Sequence, residues 1–102
     1  MTSSAGKNVL VILGHSGHHT FSAAVADSYA QAARAAGHTV RMLHLADLHF
    51  DPLLHGSNPH QQPLESDLLA AQDSMAWAQH MTWVFPVWWG GVPALLKGFL
   101  DR

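Results

Sequence analysis

The sequence predicts an α/β fold, a small parallel sheet with helices on both faces, and three observations carry that expectation. Short apolar runs rich in β-branched residues recur at 8–13, 39–45 and 82–87. Between and after them lie stretches whose apolar residues fall three and four apart. Strand and helix signals therefore alternate as β-α-β-α-β-α, the pattern of strands joined by helical crossovers.

The first strand, NVLVIL, is continuous apolar sequence stopped by Gly14, as expected of a strand buried on both faces. Residues 20–36 predict a helix capped by Thr20 and closed by Gly37, with Phe21, Ala24, Val25, Ser28, Tyr29 and Ala32 falling at three- and four-residue steps. Arg41 and His44 interrupt the second strand, which suits an edge position. Residues 46–63 carry Pro52, Gly56, Pro59 and Pro63 and predict a long irregular loop, functional or poorly ordered. Leu64, Leu68, Ala71, Met75 and Ala78 mark the stripe of a second helix, with Asp67 early enough to favour the helix dipole. Strand three spans 82–87, and Pro93 opens a third helix reaching Arg102. Right-handed crossovers place strand 1 between strands 2 and 3 and leave strand 3 as a bare edge. Leu95, Leu96, Phe99 and Leu100 are expected to stay partly in water for want of further strands.

A length of 102 residues allows one small domain, and 48% hydrophobic content with 12% charge is rich for that size. Net charge is −2 and the five basic residues are scattered, so no stripe exists to follow a nucleic-acid backbone. The absence of cysteine excludes disulfides and thiol chemistry. No apolar segment reaches spanning length, which predicts no membrane insertion and a cytoplasmic protein.

Two loops carry the chemistry. GHSGHHTFS follows strand 1; its hydroxyls Ser16, Thr20 and Ser22, with backbone N–H groups at the helix start, suit a phosphate or pyrophosphate. Neither G-x-x-x-x-G-K-[ST] nor G-x-G-x-x-G is present, which disfavours triphosphate hydrolysis and the dinucleotide fingerprint. The plainer alternative has Thr20 capping the helix while Ser16 and Ser22 face water. The second loop, PVWWGG from Pro86, offers flat aromatic surface and backbone donors to a planar ligand. Its plainer alternative makes Trp88 and Trp89 core or interface anchors. Both loops leave the carboxyl ends of adjacent strands where the strand order reverses, the crevice in which open α/β sheets bind ligands. His15, His18 and His19 cluster without a carboxylate or cysteine at ligand spacing, so no metal site is predicted. No side chain stands out as a catalytic acid or base.

These blocks, with DLHFDPLL and PVWWGGVPALLKGFLDR, resemble the flavodoxin-like NAD(P)H:quinone oxidoreductase family across essentially the whole chain. The resemblance implies that His15, Thr20, Phe21 and Ser22 meet the diphosphate and adenosine side of a flavin, FAD in preference to FMN. It implies that Pro86, Val87, Trp88, Trp89 and Gly90 cradle the isoalloxazine ring, and that Trp89 and Gly90 border the nicotinamide and quinone site. Ser22 stands where many relatives carry asparagine. A homodimer is implied too. The family's sheet continues with two further strands, so residues 1–102 are expected to form the amino-terminal part of a single flavodoxin-like domain, truncated after strand 3 and the start of helix 3. The function so implied is hydride transfer from NAD(P)H through flavin to a quinone or similar acceptor. The alternative is a non-catalytic truncated homologue acting as an interaction or regulatory protein.

Overall fold

The computed structural model describes residues 6–14, 20–53, 55, 62–87 and 91–102. Three parallel strands, β1 (Asn8–Leu13), β2 (Thr39–His44) and β3 (His80–Val84), form one sheet in the order β2-β1-β3. The central position of β1 follows from its sequence, because its residues from Val9 to Leu13 are all buried and only an interior strand is covered on every side. Asn8 fixes its start: the backbone N–H donates to Gln79 Oε1 at 2.9 Å and the side-chain amide to the Trp77 carbonyl at 3.2 Å.

Alternation along β1 divides the core in two. Val9, Val11 and Leu13 face helix α1 (Phe21–Ala35) and pack on Ala23, Ala26 and Ala30. Leu10 and Ile12 face the other layer, where α2 (Ser66–Trp77) and α3 (Ala94–Asp101) bring Leu68, Ala71, Leu96 and Phe99. Gly37, at φ +95°, ends α1 in the left-handed conformation expected of it, and the His38 N–H closes the turn on the Ala33 carbonyl at 3.1 Å.

Two expectations are corrected, the bounds of β3 and the cover of α3, and the fold decides which face of α1 is buried. The buried face of α1 is its alanine face, while Phe21, Val25 and Tyr29 are exposed, Phe21 to 84%. Small residues let the helix lie close on the sheet, and that closeness won over side-chain size. β3 begins at His80, two residues earlier than predicted, and ends at Val84. Helix α3 is well covered: Leu96 and Phe99 are buried, Leu95 is half-buried, and Leu100 alone of the four is exposed. Residues 45–47 form a 3-10 turn that buries Leu45.

Candidate active site

The site begins where β1 and β3 end together. The Gly14 N–H donates to the Val84 carbonyl at 2.8 Å, so the chain leaves both strands at one level. Gly14 also lies against α3, since a Cβ placed there would stand 2.9 Å from Leu96 Cδ2. Leu96, only 2% exposed, thus joins the root of the first loop to the helix that follows the second.

Thr20 is the N-cap of α1. Its Oγ1 accepts from the Ala23 N–H at 3.1 Å, which leaves its O–H proton available to an incoming acceptor. The N–H groups of Phe21 and Ser22 belong to the first turn and have no intrahelical acceptor. No acidic residue sits in that turn, so the dipole's positive end is not offset there. A hollow of about 370 Å³ opens beside it, lined by Thr20, Phe21, Ser22 and Val25 on one side and Val84, Phe85 and Pro86 on the other.

The predicted site residues Thr20, Phe21, Ser22 and Pro86 are brought together around this hollow, with Val87 exposed just beyond it. His15, Ser16, Trp88, Trp89 and Gly90 lie outside the described residues. Thr20 does cap the helix, and Ser22 is buried instead of facing water. Val25, Val84 and Phe85 line the hollow unpredicted. Val84 and Phe85 were legible as strand-end neighbours of Pro86, but Val25 was read only as part of the helix's periodic pattern. Donors at a helix start and an apolar wall opposite suit a ligand with an anionic part and a flat apolar part, the character of a flavin nucleotide.

A second polar cluster ties the β2–α2 connection to α3. The Arg102 side chain is only 1% exposed; its guanidinium donates to Glu65 Oε1 at 2.7 Å, to the Pro63 carbonyl at 2.8 Å and to the Asp51 carbonyl. Glu65 Oε2 in turn accepts the Asp51 N–H at 2.5 Å. That N–H and then the guanidinium hold the Glu65 carboxyl below its ordinary value. Asp51 is lowered as well, by the Leu53 N–H at 3.0 Å and by His55 Nε2 at 2.7 Å. Asp67, at the start of α2, accepts the His49 N–H at 2.7 Å.

The strand order, two-layer core and ligand crevice define the flavodoxin-like class, and a family model described as the flavodoxin-like fold matches residues 7–102. A Haemophilus influenzae protein named an uncharacterized NAD(P)H oxidoreductase is 32% identical over 99 residues, covering 93% of this chain and 49% of that protein. The rat NAD(P)H dehydrogenase [quinone] 1 is 28% identical over 118 residues, covering 96% and 43%. The solved NAD(P)H:quinone oxidoreductase from Methanothermobacter marburgensis superposes with a TM-score of 0.81 at 25% identity, covering 96% of this chain and 53% of that one. The chain belongs to the flavodoxin-like quinone reductase family. It spans about half the length of the curated relatives it matches.

Proposed function

We propose that residues 1–102 are the amino-terminal, flavin-binding part of a single flavodoxin-like domain in an NAD(P)H:quinone oxidoreductase. The observation that carries this reading is the hollow between Thr20–Ser22 and Val84–Pro86, where helix-start N–H groups without an intrahelical acceptor face an apolar wall. A flavin held there supplies two-electron transfer between NAD(P)H and a quinone or similar acceptor. The chain's own residues bind and orient it. Thr20, Phe21 and Ser22, with His15 and Ser16 of the same loop, are assigned to the diphosphate and adenosine side. Pro86, Val87, Trp88, Trp89 and Gly90 are assigned to the ring, and Trp89 and Gly90 also to the nicotinamide and quinone. FAD is the proposed cofactor. The same reading makes the intact protein a homodimer in the cytoplasm.

The test is equilibrium titration of the protein with FAD and with FMN, together with mass analysis of flavin released from purified material. Saturable FAD binding that weakens when Trp89 becomes alanine is expected; loss of one stacking wall costs about 1–3 kcal/mol. Failure to bind either flavin in a protein that carries the remaining family strands would discard the assignment and leave the interaction role.

A further inference from the structure

Helix α3 directly follows the loop assigned to the flavin ring, so whatever fixes α3 fixes one anchor of that loop. Its fixation is unusual in kind. One face is apolar: Leu96 sits on Gly14, and Phe99 meets Phe50 and Trp83 at centroid distances of 6.2 and 6.4 Å. Against the same helix the β2–α2 connection approaches so closely that a Cβ on Gly98 would stand 2.8 Å from the Pro52 carbonyl oxygen. Its far end is polar. The buried guanidinium of Arg102 gathers two backbone carbonyls, of Asp51 and Pro63, and the Glu65 carboxylate, which itself holds the Asp51 N–H. Two stretches of the β2–α2 connection, at Asp51 and at 63–65, are thereby locked to one side chain at the end of α3. Arginine suits this because its planar fork donates in several directions at once, which a lysine ammonium on a flexible stem does not reproduce.

We propose that Arg102 and Glu65 are positioning residues for the ring-binding loop. They latch the carboxyl end of α3 to the β2–α2 connection and so set the distance between the loop after β3 and Gly14 at the root of the first loop. The proposal rests on the flavin assignment above, and its effect on backbone order can be read without flavin. Neither residue reaches the hollow, whose lining is Thr20, Phe21, Ser22, Val25, Val84, Phe85 and Pro86.

The experiment compares Arg102→Lys and Glu65→Gln with Lys97→Gln, which removes only the exposed ion pair to Asp101 on the same helix. Each full-length chain is checked for its fold by far-ultraviolet circular dichroism. Amide exchange is then followed at Asp51 and, on either side of Pro86, at Phe85 and Val87, and FAD affinity and the visible dichroism of bound FAD are measured. In both latch variants, exchange at Asp51 and at Phe85 and Val87 should rise together. FAD should bind about tenfold to a hundredfold more weakly, with altered visible dichroism, as a displacement of about 1 Å at a distance can cause. Glu65→Gln keeps only one of the two hydrogen bonds, because Oε1 accepts from Arg102 and Oε2 from the Asp51 N–H, and the amide nitrogen that replaces one of them cannot accept. Lys97→Gln should match the parent throughout. Faster exchange at Asp51 with unchanged exchange at Phe85 and Val87 overturns the proposal, whether or not FAD binds. Unchanged FAD affinity in variants with an opened latch overturns it equally. Should the parent, carrying the remaining family strands, take up no flavin, the flavin assignment fails on that result, while the coupled exchange at Phe85 and Val87 still decides the latch.

Discussion

At the residue scale, glycine and threonine positions are the sharpest tests. Gly98 lies in α3, where alanine would ordinarily favour the helix by about 1 kcal/mol. Here a Cβ would meet Pro52 Cβ at 2.3 Å and its carbonyl oxygen at 2.8 Å, and the carbonyl is backbone that cannot rotate away. Overpacking of this kind costs about 1–3 kcal/mol, so the contact outweighs the propensity. Gly98→Ala should therefore lower the thermal midpoint; a rise would show that the β2–α2 connection yields freely. Thr20 separates two roles. Aspartate is as good an N-cap as threonine, so Thr20→Asp should leave stability within about 0.5 kcal/mol while placing a negative charge against the anionic part of the ligand. Urea titration and FAD titration of one variant distinguish these: affinity lost with stability kept assigns Thr20 to the ligand, and both unchanged reduces it to a cap. Thr20 as cap and Gly37 as terminator were legible in the sequence because each is a local signal. Gly98 was not, since its partner Pro52 is remote in the chain and only the packed fold brings them together.

At the element scale, α1 shows what periodicity alone cannot decide. Its sequence offers two stripes, one of large residues at Phe21, Val25 and Tyr29 and one of alanines at Ala23, Ala26 and Ala30. Size favours the first, yet the sheet takes the second. The long connection between β2 and α2 was legible only as irregular for a related reason: its prolines exclude regular structure but say nothing of tertiary hydrogen bonds. Asp51, Glu65, Asp67 and Arg102 supply those bonds, and nothing in their local sequence announces it. This cluster has a pH signature. Both Asp51 and Glu65 are held below their ordinary values in the fold, so between the lowered and ordinary values the unfolded chain binds more protons than the native one. Their contribution is present above the ordinary carboxylate range, about pH 4, and is lost as pH falls through it. The urea midpoint should drop between pH 7 and pH 3, and the drop should be smaller in Glu65→Gln. An equal drop in that variant would place the acid sensitivity elsewhere.

At the scale of the whole molecule, the predicted strand order and parallel sheet hold, while the weakness lies on the opposite face from the one expected. Helix α3, expected to lack cover, is enclosed by the β2–α2 connection and the α2 layer. The uncovered face is that of α1, where Phe21, Val25 and Tyr29 run beside the edge strand β3. Thr82 Oγ1, on that strand, is buried without a hydrogen-bond partner among the described residues. The handedness rule sharpens the point. A further strand added outside β3 brings its crossover helix to the α2–α3 side, so lengthening the sheet does not by itself cover α1. Burying a large apolar side chain contributes about 1.5–3 kcal/mol, so leaving Phe21 in water and Val25 and Tyr29 partly so forfeits on the order of 3 kcal/mol, a sizeable share of a domain's stability. Among the described residues β3 has one unpaired edge, which adds a template for association. Residues 1–102 expressed alone should accordingly self-associate and bind a hydrophobic dye, and should show no flavin-dependent NAD(P)H oxidation with a simple quinone. Val25→Lys with Tyr29→Lys should reduce both association and dye binding, because the charges fall on the exposed stripe and outside the alanine contact with the sheet. Light scattering, dye fluorescence and an absorbance assay for NAD(P)H suffice. A monodisperse monomer that turns over with FAD would show that this much of the fold is a working reductase, and association unchanged by the two lysines would move the sticky surface from α1 to the strand edge.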